Sequence, residues 1–410
     1  MGEPKLRFKA DDGSDFPNWE EKTLGELCEP LTYGMNAAAT KFDGENRYIR
    51  ITDIDDETHA FLSNDVVSPS GELDDKYLVK KGDILLARTG ASTGKSYLYH
   101  PKDGKLFYAG FLIKAHVLPS SDDYFIYSQT LTDRYGKWVK TTSMRSGQPG
   151  INANEYASYS FSVPSLPEQR KIADLLSAVD DVIAAQEAEV AAWEKRKKGV
   201  MQKLFSQEVR FKADDGSDFP DWEEKTLGEL GCFCSGIGFS ERYQGHANLP
   251  VDVYKVSDMN ISGNEREMLR ANNTVDESIL KKMKTKAIDQ PSIIFAKVGA
   301  AIFAERKRIA RKPFIVDNNM MVFTPNDEND FEYIYWLTLT LRFASRAQIG
   351  ALPSYNASDI SGFVVNIPSL PEQRKIADCL ASLDDVIAKA KDELDAWCEL
   401  KKGLLQQMFV

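Results

Sequence analysis

Arg7 to Leu27 reads RFKADDGSDFPNWEEKTLGEL, and Arg210 to Leu230 reads RFKADDGSDFPDWEEKTLGEL. Only Asn18 against Asp221 differs. A second block, SLPEQRKIAD, runs from Ser165 to Asp174 and returns from Ser369 to Asp378. The segments between these copies are almost equal in length and barely alike. A period near 200 residues is too long for a solenoid and describes two duplicated domains. One frame therefore carries two divergent inserts. The boundaries predicted are a conserved segment over 1–27, a first insert over 28–165, and a conserved centre over 166–230 with a long helix at about 167–205. A second insert over 231–369 and a conserved helix over 370–410 follow.

Phe409 aligns with Phe205, so the second copy stops where the first runs on into Glu208, Val209 and Arg210. Lys5, Leu6 and Arg7 supply the matching continuation. This predicts a circular, pseudo-twofold arrangement with adjacent termini. Two beads on a string is the alternative.

Pro167-Glu168-Gln169-Arg170 is a helix opening, with proline in the first turn and an acid at the positive end of the dipole. Apolar residues then repeat in heptads through Ile172, Leu176, Val179, Ile183, Val190 and Trp193. The second copy repeats them through Ile376, Leu380, Leu383, Ile387, Leu394, Trp397 and Leu404. A sustained 3.5-residue period predicts two helices of roughly 38 residues, each on the order of 57 Å long. Two such stripes in one chain hide against each other, and pseudo-twofold symmetry makes the pair antiparallel. Asp180-Asp181 and Asp384-Asp385 recur at matching helix positions, and Glu187, Glu189, Glu194 and Lys195 to Lys198 decorate the outer face; these are expected to dock a protein or to solvate the helix.

The fold class predicted is α/β (α+β): two homologous mixed domains separated by the helix pair. Tyr48 to Ile54 and Val253 to Met259 alternate as strands do. Buried strands follow at Ile84–Ala87 and Ile293–Ala296. They lead into Arg88-Thr89-Gly90 and Lys297-Val298-Gly299, and Pro149 to Glu155 matches Pro353 to Asp359.

Net charge is −11. Segments 28–165 and 231–369 carry −2 and +1, so the frame holds the remaining −10. Phosphate binding needs a local positive face rather than a positive total. The densest basic run is Glu305 to Lys312. Five cysteines, odd in number and poorly spaced, fit a reducing cytoplasm, and no apolar run reaches membrane-spanning length. Cys232-x-Cys234 lacks the second pair a zinc site needs. Thr89 to Ser96 imitates a phosphate loop, but Thr89 stands where glycine is required and a tyrosine-rich segment follows. The four histidines form no cluster. No catalytic constellation and no metal or cofactor site is expected, and the chain is not expected to be an enzyme.

The duplicated SLPEQRKIAD leading into a heptad helix resembles the specificity (S) subunit of type I restriction-modification systems. The duplicated FPxWEEKTLGEL and the alternation of variable and conserved segments resemble it too, over essentially the whole chain. The resemblance implies that each insert is a target-recognition domain reading half of a bipartite double-stranded DNA site. It implies that the helices set the spacing and bind two methyltransferase (M) subunits, which carry S-adenosylmethionine. It further implies a separate restriction (R) subunit carrying ATP and Mg. DNA contacts are then expected from Arg50, Arg88, Ser92, Thr93, Lys95, Ser143, Arg145, Gln148 and Asn152 in the first domain. The second should use Lys255, Lys297, Arg306, Arg308, Asn318, Asn319, Ser354, Tyr355 and Asn356. A coiled-coil adaptor that binds only protein is the main rival reading.

Overall fold

A computed structural model describes residues 4–144, 148–348, 350 and 352–409. The chain forms two compact units, Met1–Glu189 with Ala390–Val410, and Val190–Lys389. Each unit contains one insert, one copy of the frame, and portions of both long helices.

In the first unit a four-stranded antiparallel sheet runs in the order Thr32–Tyr33, Leu112–His116, Asp83–Ala87, Ser96–Leu98. Asp83 faces His116 and Ala87 faces Leu112. Beside it, Arg47–Ile49 pairs in parallel with Leu106–Tyr108. The second unit repeats this plan with Gly231–Ser235, Met320–Pro325, Ser292–Ala296 and Lys307–Ala310. There Val251–Tyr254 lies parallel to Phe314–Val316. The central strands are buried throughout, which is why both read as continuous apolar runs.

The expected strands over 48–54 and 253–259 are shorter than the alternation suggested. The first ends at Ile49 and turns into a 3-10 segment at Ile51–Asp53; the second ends at Tyr254 before Val256–Asn260. The buried Asp53 carboxylate accepts the Arg50 backbone N–H at 2.8 Å, and Asp258 accepts that of Lys255 at 2.8 Å. These local bonds compete with the ladder and end each strand.

The duplicated frame is a clasp. Glu168, fully buried, accepts Nε and Nη2 of Arg7 at 3.0 and 2.8 Å and the indole N–H of Trp19 at 3.2 Å. Glu372 accepts Arg210 and Trp222 at the same three distances. Gln169 and Gln373 each accept a backbone N–H from a recognition domain, that of Asp122 and that of Asp330, at 2.9 Å. Those two aspartates are themselves helix N-caps, bonded to the N–H groups of Phe125 and Tyr333. Glu and Gln of the repeated PEQRK are thus tied to the frame and the insert. In the first unit the Leu6 N–H also donates to the Gln407 carbonyl at 3.0 Å.

The long helices span Leu166–Phe205 and Leu370–Met408. Within the first unit they run antiparallel: Lys401 pairs with Asp180 at 2.6 Å, and Gln186 Nε2 donates to the Ala390 carbonyl at 3.3 Å. Within the second, Lys197 pairs with Asp384 in the same sense. The heptad seam divides by position. Val179, Val190 and Ile387 are buried, while Ile183, Trp193, Leu383, Leu394, Trp397 and Leu404 are half-buried. Ile172 and Leu176 enter the first domain's core with Leu405, Met408 and Phe409, and Ile376 and Leu380 enter the second's with Leu204. The seam is therefore a helix–helix stripe only in part, because its ends also close the β domains.

One member of each aspartate pair, and Lys197 of the expected outer face, are held within the fold. Asp180 accepts the Tyr124 hydroxyl as well as Lys401, and Asp384 is held by Lys197 and Arg266. Lys197 also sits over the Trp336 ring at 4.1 Å. The exposed members of the pairs are Asp181 and Asp385.

Candidate nucleic-acid interface

Each domain builds one outward corner where two loops meet. In the first, the strand Asp83–Ala87 runs out at Arg88 and is met by Gly150-Ile151. The Gly90 N–H donates to the Pro149 carbonyl at 3.0 Å, and the Ile151 N–H to the Arg88 carbonyl at 2.9 Å. The Arg88 N–H donates to the Phe111 carbonyl at 3.0 Å. In the second domain the Gly299 N–H donates to Pro353 at 2.8 Å, Tyr355 to Lys297 at 3.2 Å, and Lys297 to Asn319 at 2.8 Å. The same backbone corner is made twice, and different side chains stand on it.

The corner unites residues far apart in sequence. Arg88, Ser92, Thr93 and Gln148 come together in the first domain, and Lys297, Asn318, Asn319 and Ser354 in the second. Gln148, Asn318 and Asn319 are exposed. Arg88 is half-buried, with its guanidinium over the Tyr33 ring at 4.8 Å and Nη1 donating to the Gly110 carbonyl at 3.2 Å. Thr93 caps its own loop by donating to the Gly90 carbonyl at 2.8 Å.

Other expected contacts carry structural duties. Tyr355 is buried and its hydroxyl donates to the Ala296 carbonyl; Tyr156 does the same to Ala87 at 2.6 Å. Ser143 is buried. Asn152 and Asn356 are helix N-caps accepting the N–H groups of Glu155 and Asp359 at 2.9 and 3.0 Å. Arg50 grips Asp53 with Nε and Nη2 at 2.8 and 2.7 Å, and Lys255 Nζ donates to Gln244 Oε1 at 2.8 Å. Lys95 Nζ donates to the Ile54 carbonyl at 2.9 Å and pairs with Asp56. Arg145 lies outside the described residues.

The basic run at 305–312 is only partly a solvated face: Arg306, Arg311 and Lys312 are exposed, but its centre is not. Lys307 is 2% exposed, pairs with Glu305 at 2.7 Å, donates to the Leu341 carbonyl at 2.9 Å and packs on Phe343. Burial lowers its pKa and that of half-buried Arg308. Arg306 reaches Asn260, and Arg311 pairs with Glu267 and Glu332. The imitation phosphate loop makes one 3-10 turn at Gly90–Ser92 and then the strand Ser96–Leu98, so no helix N-terminus faces a phosphate.

Apolar groups at the corners escaped the sequence reading. Phe111 is 62% exposed, Met144 71% and Tyr33 43% in the first unit; Phe303 and Leu352 are 58% and 62% in the second. Phe111 gives no periodic signal, since it stands at a turn one residue before its strand.

A family model described as the type I restriction modification DNA specificity domain matches residues 17–192 and again residues 220–396. The chain belongs to this family. As a type I restriction-modification specificity subunit it has two recognition domains, and the family implies DNA binding. The specificity subunit of the type I restriction enzyme MjaVIII of Methanocaldococcus jannaschii is 23% identical, with 97% of this chain and 94% of that protein covered. That of MjaIX from the same organism is 22% identical, with 98% and 96% covered. Among solved structures, the S subunit of a type I system from M. genitalium superimposes with a TM-score of 0.56 at 19% identity, covering 100% of this chain and 99% of that one. A chain from a structure of type I complex assembly and conformational transition gives 0.59 at 15%, covering 96% and 97%. These two share its fold. Among the described residues, no helix is long and apolar enough to cross a membrane.

Proposed function

We propose that each recognition domain of this specificity subunit reads one half of an asymmetric, bipartite DNA site through its corner. The observation that carries the reading is the corner itself. One set of backbone hydrogen bonds is made twice, at Arg88/Gly90/Ile151 and at Lys297/Gly299/Tyr355, beneath different exposed side chains. A fixed scaffold under variable side chains is what two readers of different sequences need, because base edges are distinguished by donor, acceptor and methyl pattern. Arg88 and Lys297 supply a cation to each corner for phosphate or guanine.

The long helices hold the readers at a set spacing, as dimer geometry does for half-sites. They also dock two methyltransferase subunits, which bring S-adenosylmethionine, while a restriction subunit brings ATP and Mg. This chain contributes recognition rather than chemistry, and works in the cytoplasm. The family match and the duplicated frame support that division.

The test is the methylome of cells expressing this chain with its methyltransferase subunit. One bipartite motif is expected, and exchange of residues 28–165 for those of another subunit should change one half only. No new methylation from an assembled complex would favour the protein-binding adaptor.

A further inference from the structure

We propose that Phe111 is a specificity-determining residue of the first recognition domain, seated against the 5-methyl group of a thymine in the first half-site. This rests on the half-site reading above and names what one reader recognises.

Phe111 follows Gly110 at the turn between Leu106–Tyr108 and Leu112–His116. The turn is fixed on every side. The Gly110 N–H donates to the Met35 carbonyl at 2.8 Å, Leu112 to Ala109 at 2.8 Å, and Arg88 to Phe111 itself at 3.0 Å. A rigid turn therefore presents a phenyl ring that is 62% exposed.

The second domain shows that the fold does not require this ring. Its Lys297 N–H donates to Asn319, as Arg88 does to Phe111, so the two residues occupy equivalent places. Asn319 is exposed and polar, held by Asp317 through its N–H at 3.1 Å and its amide at 3.3 Å. The same backbone thus carries an apolar ring in one reader and an amide in the other. What differs outward, on an unchanged scaffold, is what the partner meets.

The turn also carries a cation: the Arg88 guanidinium donates from Nη1 to the Gly110 carbonyl at 3.2 Å, one residue before Phe111, and the Arg88 backbone N–H donates to the Phe111 carbonyl. Cation and apolar group together suit a groove edge, where phosphate lies beside bases. On base edges in the major groove, the thymine methyl is the apolar feature, and aromatic side chains contact it.

Deoxyuridine in place of each first-half-site thymine, one at a time, tests this on the complex assembled with its methyltransferase subunit. Removing the methyl at one position should weaken binding about fourfold, the worth of one buried methyl group. Phe111→Ala should abolish that difference and relax the methylated motif at the same position. The second half-site should remain intact, which reports that the chain is folded. Phe111→Leu should keep the uracil sensitivity in part. Indifference to uracil at every thymine, a first half-site with no thymine in either strand, or unchanged sensitivity in Phe111→Ala would overturn the proposal. Absence of any bipartite motif with the wild-type complex would instead overturn half-site reading.

Discussion

Arg7→Ala should destabilise the first unit by about 3 kcal/mol. Glu168 has no exposed surface, and Arg7 supplies two of the donors that hold its carboxylate, at 3.0 and 2.8 Å. With Arg7 gone, the Trp19 indole N–H at 3.2 Å is left facing a buried charge. Breaking a buried pair from one side costs about 3–5 kcal/mol. We take the lower end because the Arg7 side chain is 22% exposed and already screened by water. For a unit of roughly 200 residues, the unfolding entropy is about 0.4 kcal/mol per kelvin, so Tm should fall by about 7 °C. Scanning calorimetry should show this in the transition of the unit holding residues 7 and 168. Arg7→Lys keeps the charge but loses the planar fork and should recover about half. Arg7→Ala with Glu168→Gln should cost less than Arg7→Ala alone, because the orphaned charge is removed. Arg210→Ala should reproduce the effect in the other unit through Glu372. A Tm within 1–2 °C of wild type for both alanine variants would refute the clasp as a stabilising element.

Three further expectations are independent of the clasp. Burial lowers the pKa of His59, whose Nδ1 lies 2.8 Å from the Ser96 carbonyl. The unfolded state then binds more protons, so this contribution to stability is complete above pH about 6.5 and is lost as pH falls below it. Denaturant midpoints across that range should show the slope, and His59→Asn, compatible with the left-handed backbone there (φ 58°), should flatten it. Burial pushes the Cys28 thiol up to about 12, whereas Cys232 and Cys234 are exposed. At pH 8 a thiol reagent should label Cys232 and Cys234 in the native chain and Cys28 only after denaturation, as peptide mapping would show. Gly94→Ala places a Cβ 2.6 Å from Val139 Cγ1 at φ +94°, and should cost about 2 kcal/mol in urea unfolding. Adding Val139→Ala should relieve the clash but not the backbone strain.

The duplicated frame, both long helices, the mixed α/β class and the two central strands could all be read from the sequence. Each rests on local or repeated signals: heptads, the PEQ helix opening, and buried runs such as Ile84–Ala87 and Ile293–Ala296. Likewise, the absence of a helix after Gly94-Lys95-Ser96 followed from the residues themselves. What the sequence could not determine was the use of each polar side chain. Lys307 lies in the most basic run yet is buried against Glu305 and Phe343. Asn152 and Asn356 cap helices, Tyr355 fills a core, and Asp53 ends a strand that alternation would have carried on to Ile54. In every case the deciding partner is a hydrogen-bond acceptor, donor or apolar surface whose place depends on chain geometry rather than residue type. The corner that unites Arg88 with Gln148, and sets Phe111 where the other domain has Asn319, joins segments from different strands. Spacing along one chain carries no record of that meeting. Periodicity and repetition therefore determined the elements, and tertiary packing decided which of their charges and rings remain free to meet a partner.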